Sequence, residues 1–304
     1  MRWEDVPPHV RDAIVAQIGP VQDDDVQSIP GQPGEFAARM YGRDDDVFVK
    51  TLPMSSPHAY LHQRERWAAR HMASVAPSAP VPRMLWAMEA ASLSAPPYHL
   101  SAWELINDHA RRADLSRWSA DVPIVLEAVT ELGKLLTPCP PGAPSIVQRL
   151  AGLVARARIM RSSPELRGSD LYTKALNGFI IDRLRGTSLL HANLSPRHLL
   201  IKDGGGSVVG WGEACAGQAW IDPALLAPHL VAGRHSRHSP EQVHELLWAI
   251  PAWRDAPADL MAGLTALWTL SHLHQGYHAD EPDEASARLA DAGQEWLAYL
   301  VGQI

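Results

Sequence analysis

The chain has 304 residues and a formal net charge of -7, with 46% hydrophobic and 20% charged residues. A chain of this length and composition can bury a full core in one large domain or two smaller ones, and long disordered regions are not expected. Basic residues are scattered among acids without forming a stripe, so the sequence predicts no nucleic-acid partner and no anionic membrane partner.

The cysteine content and the N-terminal residues predict where the protein resides. Cys139 and Cys215 have no metal-type spacing, and we expect two reduced thiols in a cytoplasmic protein. The N-terminal residues lack the apolar core of a signal peptide, and no stretch approaches the roughly 18 apolar residues that span a bilayer. Arginine strongly outnumbers lysine, which is typical of GC-rich bacterial genomes.

The first third of the chain predicts a small sheet and one helix. Residues 26–52 predict three short strands, separated by turns at 30–34 and 42–46, as in an antiparallel meander. Residues 58–73 carry apolar side chains at helical spacing and predict an amphipathic helix. Two further β-rich runs follow, RMLWAMEA and YHLSAWELI.

The remainder of the chain predicts a mainly helical region. The polar residues 107–109 predict a hinge between a domain of 1–106 and a domain of 107–304. One β-like hairpin, with a turn at 203–206, interrupts the helical patterns. The predicted helices cover residues 122–136, 145–161, 164–185, 240–250, 258–277 and 283–301. These elements predict an α+β fold with two lobes, a small antiparallel sheet with one main helix and a larger helical lobe.

Five short motifs carry polar residues in a distinctive order. They are VFVKTL with Lys50, HQRERW with Glu65, HANLSPRH with His191 to His198, SVVGWGEA with Gly210, and AWIDPALLAPHL with Asp222. Together they resemble the aminoglycoside-phosphotransferase and choline-kinase-like branch of the protein-kinase fold over nearly the whole chain. That branch carries a strand lysine, a helix glutamate, a His-Gly-Asp-Leu-x-Pro-x-Asn loop and an Asp-Trp pair at a strand end. The resemblance implies a bilobal protein-kinase-like fold.

The resemblance also implies roles for the residues that match the family. Lys50, held by Glu65, would place a positive charge where nucleotide phosphates lie. Glu104, in the second β-rich run, is implied to lie at the cofactor. His191 and Asp222 would brace the loop. The implied cofactor is ATP or another nucleotide, bound without magnesium, and the sequence leaves open whether one binds at all.

Three positions of the family's catalytic set hold other residues in this chain. Asn193 replaces the aspartate that accepts the substrate proton, and a neutral amide cannot act as a base. His198 and Gly210 replace two magnesium ligands. Neither can take over that role, because imidazole suits magnesium poorly and glycine has no side chain. We therefore expect a pseudokinase that binds a protein or peptide partner of its pathway, or a small molecule in its cleft.

Two alternatives stay open. The chain could be an active phosphotransferase with unusual metal or nucleotide use, in which His198 acts as ligand or base. It could also be a recently disabled enzyme, which restoring aspartate at 193 and 210 and asparagine at 198 would reveal. The prolines in PGQPG, the turn that would cover phosphates, remove N–H donors and predict weak triphosphate binding.

Weaker signals have ordinary structural explanations, and we expect those explanations to hold. A softer metal ion could bind among His191, His198, Asp222 and Glu213, or at His272, His274 and His278. Surface positions are expected for His229, His235, His238 and His244. A cationic ligand could be received by Asp108, Asp114 and Glu213, although solvated acids are the simpler reading. Exposure would mark an interface at Trp118, Trp253 or Trp296.

Overall fold

A computed structural model describes residues 1–31, 34–106, 110–278 and 284–304. The chain divides into two compact units. The first comprises Met1–Ala110 and Ser207–Glu213, and the second comprises Arg111–Gly206 and Ala214–Ile304. The predicted hinge at 107–109 lies outside the described residues, so the predicted domain boundary stays a prediction.

The described part of the first unit is built on a five-stranded antiparallel sheet in the order β1-β2-β3-β5-β4. Its strands are β1 (Val26–Ser28), β2 (Phe36–Tyr41), β3 (Asp46–Pro53), β4 (Met84–Ser92) and β5 (Ala95–Glu104). Its helices are α1 (Pro8–Ile18) and α2 (Ala59–Val75). The predicted strands and the helix at 58–73 are confirmed, and α1 is an additional helix that begins with a proline.

Alternation along β3 directs its side chains toward two different helices. Val10 and Ile14 of α1 are fully buried and share a hydrophobic core with Val47 and Val49 of β3. Because successive side chains of a strand point to opposite faces, Lys50 points away from that core. Helix α2 lies on this second face, which determines what Lys50 can contact.

The second unit is mainly helical. Its helices are α3 (Asp121–Leu135), α4 (Ile146–Arg149), α5 (Ala151–Arg161), α6 (Ser169–Leu176), α7 (Ile221–Ala232), α8 (Pro240–Leu247), α9 (Pro251–Arg254), α10 (Ala258–Tyr277) and α11 (Glu284–Gly302). Short strands accompany them: β6 (Arg111–Arg112), β7 (Ser188–Leu190), β8 (Leu199–Lys202), β9 (Gly205–Val208) and β10 (Cys215–Gly217). Strand β9 begins in the second unit, and its last two residues belong to the first. Strand β7 pairs with β10, and β8 lies between β6 and β9. The predicted α+β fold class is confirmed.

Two of the predicted helices differ from the structure in extent. The prediction for 164–185 is wrong, because α6 covers only Ser169–Leu176. Gly168 and Gly178 on either side of it have φ angles of 70° and 75°, which interrupt a right-handed helix. The predicted helix 145–161 is divided at Leu150 into α4 and α5.

Two further segments, α7 and the hairpin at 203–206, show how local residues affected the prediction of an element. The sequence did not predict α7, because Pro223 and Pro228 lie within it and proline inside a helix removes a hydrogen bond. The hairpin predicted around 203–206 is confirmed with a shorter turn. Asp203 and Gly204 have φ angles of 48° and 78°, as a two-residue type I′ turn requires.

Helix α10 is buried along most of its length. A Cβ at Gly263 would overlap the ring of Phe179, so this glycine makes room for the ring. By contrast, a Cβ at Gly276 would have no atom within 4 Å. Neither α10 nor any other helix in the described ranges combines the length and apolar character needed to cross a membrane.

Candidate functional site

The strand lysine and the helix glutamate form an ion pair in the first unit. Lys50 Nζ donates to both carboxylate oxygens of Glu65, at 2.8 and 2.9 Å. The two side chains are 17% and 8% exposed, so solvent and salt screen them less than a surface pair. Lys50 Nζ also lies 5.8 Å from the ring centroid of Phe48 and 5.9 Å from that of Trp103. In phosphotransferases such a pair fixes a positive charge for nucleotide phosphates.

A second buried pair lies one helical turn away on α2. His62 Nε2 lies 2.9 Å from Glu35 Oε1, and both side chains are almost fully buried. His62 and Glu65 are three residues apart, so they share one face of α2. Glu35 follows the glycine turn at 30–34, and a Cβ at Gly31 would overlap its carboxylate. The carboxyl group of Glu35 therefore lies between Gly31 and His62.

Sequence reasoning missed the pair of Glu35 and His62. One signal could have found it, because His62 lies three residues before the predicted functional glutamate on the same predicted helix. The other partner gave no signal, since an acid after a turn is usually solvated. Gln32 and Pro33 of the turn lie outside the described residues, so the predicted effect of its prolines stays a prediction.

A third part of the first unit comes from Ser207–Glu213, which carries Gly210. The φ angle of Gly210 is 82°, a left-handed conformation that glycine adopts freely. Trp211 is 3% exposed, and its Nε1 donates to Val208 O at 3.0 Å. Glu213 Oε2 lies 3.8 Å from Arg64 Nη1 on α2. The segment is held in place, but Gly210 supplies no side chain for a metal ion.

In the second unit, residues 191–198 form a loop that Asp222 braces. The backbone N–H groups of His191 and Ala192 donate to the two carboxylate oxygens of Asp222, both at 2.8 Å. Burial raises the pKa of Asp222 to about 6, although these two hydrogen bonds act in the opposite direction. Ala192 has a φ angle of 58°, a conformation that costs a residue with a Cβ roughly 1–2 kcal/mol.

The imidazole rings of this loop support its own backbone. His198 Nδ1 lies 2.7 Å from Asn193 O and 3.1 Å from Ser195 Oγ. A carbonyl oxygen only accepts hydrogen bonds, so Nδ1 of His198 carries a proton. The N–H of Asn193 donates to Nδ1 of His191 at 3.3 Å, so this ring nitrogen acts as an acceptor. The ring of His198 thus holds the loop through Nδ1.

The residues present do not fit the magnesium ion that the family resemblance implies. Magnesium needs hard oxygen ligands in near-octahedral geometry, and neither His198 nor Gly210 offers one. Each unit also binds its own carboxylate elsewhere: in the second unit Asp222 accepts from loop amides, and in the first unit Glu213 faces Arg64. Within the ranges that the structure describes, no group of three or more His, Cys, Asp or Glu side chains could hold a metal ion. Neither softer-metal site considered from the sequence is formed there.

Glu104 lies apart from Lys50 within the first unit. It pairs with Val47 across β3 and β5, whereas Lys50 pairs with Ser101. Side chains three residues apart on a strand point to opposite faces, so Glu104 and Lys50 do not share a face. Glu104 and Asp46 both line a cavity of about 390 Å³. Its predicted contact with a cofactor stays a prediction.

The weaker histidine predictions have mixed outcomes. His274 and His278 have ring centroids 4.4 Å apart, but in the described residues no third ligand completes a metal site. The surface position predicted for His238 is wrong, because this residue is 7% exposed. Burial lowers the pKa of His229 to about 3, so that ring is neutral. His229 lies on α7, a buried helix that the sequence did not predict. His238 lies between α7 and α8, and His235 is exposed, as predicted.

The remaining weak signals concern tryptophans, acids and cysteines. Trp253 and Trp296 are 1% and 0% exposed and stack on each other, whereas Trp118 is 84% exposed. Asp108 lies outside the described residues, and Asp114 accepts hydrogen bonds from Ser116. The two cysteines are free thiols. Of the three tryptophans considered as interface residues, only Trp118 is exposed.

Comparison with known proteins reveals relatives in structure rather than in sequence. No family model matches the chain, and no curated protein matches it. The choline kinase LicA from Streptococcus pneumoniae aligns with a TM-score of 0.62 at 11% identity, covering 96% of this chain and 99% of that chain. The APH(2″)-IIia structure with GDP and kanamycin aligns with a TM-score of 0.62 at 15% identity, covering 98% and 99%.

A third match extends the same result. The apo form of a thermostable mutant of the aminoglycoside phosphotransferase APH(4)-Ia aligns with a TM-score of 0.60 at 15% identity. The alignment covers 96% of this chain and 98% of that one. Likeness at such low identity is evidence of fold. The chain has the kinase-like fold of aminoglycoside phosphotransferases and choline kinase, as the sequence motifs predicted.

Proposed function

We propose that this chain of kinase-like fold is a pseudokinase, a binding or regulatory protein that does not transfer phosphoryl groups. One observation carries the proposal: where the related enzymes would need a base and magnesium ligands, this chain has Asn193, His198 and Gly210. The Nδ1 of His198 is already hydrogen-bonded to the carbonyl of Asn193. Loss of the base alone slows such a reaction by ~10²–10⁴-fold, and loss of the metal removes several kcal/mol more.

The first unit supports a limited role in anion binding. Lys50 is held by Glu65 where a phosphate would be bound in an active relative. Gly210 lacks the negative charge of the family's aspartate, but the carboxyl group of Glu35 lies beside Gly31. We therefore propose that ATP or another nucleotide binds weakly and without magnesium.

In this proposal the protein acts by binding a partner. A protein that keeps the fold without transfer chemistry acts by binding, so we propose a protein or peptide of the same bacterial pathway, or a small molecule, as its ligand. We also propose a cytoplasmic location, which the two free thiols support.

A phosphoryl-transfer assay tests the proposal directly. The purified chain is incubated with ATP or GTP and with magnesium, manganese or zinc, and the acceptors include choline and kanamycin, the compounds named for its structural relatives. We expect no transfer above that of buffer. Transfer at ordinary rates would refute the proposal, and transfer lost on His198→Ala would support an atypical enzyme instead.

A restored variant provides the matched control. The triple change Asn193→Asp, His198→Asn and Gly210→Asp returns the missing carboxylates and amide, and circular dichroism checks that it folds. We expect no recovery, since Gly210 has a positive φ that aspartate adopts less easily. Recovered transfer that again disappears on Lys50→Ala would indicate a recently disabled enzyme.

Thermal-shift measurements test nucleotide binding separately. ATP, ADP and GTP are each added with and without magnesium. We expect a small rise in the melting temperature that magnesium does not enlarge and that Lys50→Ala removes. A large rise that requires magnesium would contradict the proposed loss of the metal site.

A further inference from the structure

Residues 116–119 form a β-turn that presents Trp118 to solvent. The N–H of Ser119 donates to Ser116 O at 3.0 Å, which closes the turn. Trp118, the third residue, has a φ angle of 71°, and Arg117 is not among the residues with positive φ. This combination defines a type II turn, whose third position favours glycine. A bulky residue there is an outlier, and at 84% exposure Trp118 gains little burial in return.

The turn is held rigidly against the segment after α7. Ser116 Oγ accepts from the N–H groups of Arg234 and His235, at 3.1 and 2.8 Å. The N–H of Arg117 donates to Ser236 O at 3.1 Å, and Ser236 Oγ donates to Arg117 O at 3.1 Å. Trp118 is therefore displayed on a fixed backbone. Strain that the surrounding structure maintains in this way is a sign of function.

The surroundings of Trp118 are basic. The guanidinium carbon of Arg117 lies 4.5 Å from the centroid of the Trp118 ring. Arg234 and His235 are exposed beside the turn. Arg237 is also exposed and pairs with Glu295 at 2.9 Å. Asp114, which accepts hydrogen bonds from Ser116, and Glu295 offset part of this charge. The three arginines still outnumber these two acids, in contrast to the net charge of -7 for the chain.

We propose that residues 116–119 and 234–237, the Trp118 platform, form a docking site for an acidic peptide segment of a partner protein. Trp118 is the apolar anchor, and Arg117 and Arg234 contact carboxylates. Tryptophan and arginine are enriched among residues that dominate binding energy, and charge complementarity selects the partner. A nucleic acid fits less well, because the chain has no extended basic stripe. The site goes beyond the proposed function, since it does not depend on whether phosphoryl transfer occurs.

Fluorescence anisotropy with labelled peptides tests the Trp118 platform on the full chain. One dodecapeptide contains four Glu-Glu-Leu repeats, and the matched peptide contains Lys-Lys-Leu repeats. We expect the glutamate peptide to bind about tenfold more tightly than the lysine peptide, and Trp118→Ala and Arg117→Gln each to weaken it about tenfold. Trp248→Ala, at a tryptophan that is 51% exposed, is the matched control and should bind as the wild type does.

A second variant keeps the test independent of folding. Trp118→Gly suits the turn, so its melting temperature should equal or exceed that of the wild type, while glutamate-peptide binding falls about tenfold. The proposal is overturned if the wild type shows no preference for the glutamate peptide, or if Trp118→Gly binds it normally. Tighter binding of single-stranded oligothymidylate than of the glutamate peptide would also overturn it.

Discussion

Replacing Asp222 by asparagine should change how the stability of the protein depends on pH. Burial raises the pKa of Asp222 from 3.8 to about 6 in the folded chain. Because the folded-state pKa lies above the unfolded one, the group contributes stability that is fully present below about pH 4 and is lost as the pH rises through 6. A shift of about two units corresponds to roughly 3 kcal/mol.

The asparagine variant removes this dependence and also breaks a contact. Its single carbonyl oxygen can accept from only one of the N–H groups of His191 and Ala192, so relative to the ionised wild type one backbone amide is left unsatisfied at a cost of ~1–3 kcal/mol. The pKa shift of Asp222 sets the pH dependence, so the free energy of unfolding of the wild type minus that of Asp222→Asn should be largest near pH 4. By pH 7 we expect it to have fallen by roughly 3 kcal/mol.

Urea unfolding followed by tryptophan fluorescence measures this difference at several pH values between 4 and 7.5. The matched control is Asp259→Asn, because Asp259 is an exposed carboxylate that pairs with Arg183 at 2.6 Å. Its difference from the wild type should vary little with pH. A flat or rising difference for Asp222→Asn would refute the argument that burial sets the pKa of this carboxyl.

Three further predictions concern packing, strain and charge. Ala192→Gly should raise the free energy of unfolding by ~0.5–1 kcal/mol, since relief of the left-handed strain exceeds the entropy cost of glycine; a lower melting temperature would contradict it. Gly263→Ala should lower the free energy of unfolding by ~1–3 kcal/mol through overpacking, whereas Gly276→Ala in the same helix should be neutral or slightly stabilising; equal shifts in a thermal melt would show the packing to be wrong. Lys50→Met should destabilise the chain by ~1–3 kcal/mol because it leaves Glu65 unpaired, and adding Glu65→Gln should recover at least half of the loss in urea unfolding.

The sequence predicted those features that depend on local patterns. Lys50 lies in a run of alternating side chains and Glu65 in an amphipathic helix, and both elements could be located from periodicity alone. Their contact followed from the family resemblance, and the structure shows it at hydrogen-bonding distance. The hairpin was similarly visible from its turn residues at 203–206, although the turn itself is only Asp203 and Gly204.

Other features depend on tertiary contacts that local patterns do not encode. Glu35 and His62 are 27 residues apart in sequence, and only the folded sheet brings them together. The role of His198 depends on which way its ring turns, and its hydrogen bond to Asn193 O is a property of the folded loop. Exposure of Trp118 was likewise open, because tryptophan lies in the core by default.

Helix α2 has two anchor points one turn apart, His62 against Glu35 at the start of β2 and Glu65 against Lys50 in β3. Any rotation or sliding of α2 would separate both pairs together and strand two carboxylates in poorly hydrated surroundings. Leaving Glu65 unpaired alone costs ~1–3 kcal/mol, as expected for Lys50→Met. A helix tied at two points can rotate only if both contacts break or both partners move with it. Because each contact adds to that cost, displacing α2 costs more free energy than displacing a helix held by one pair.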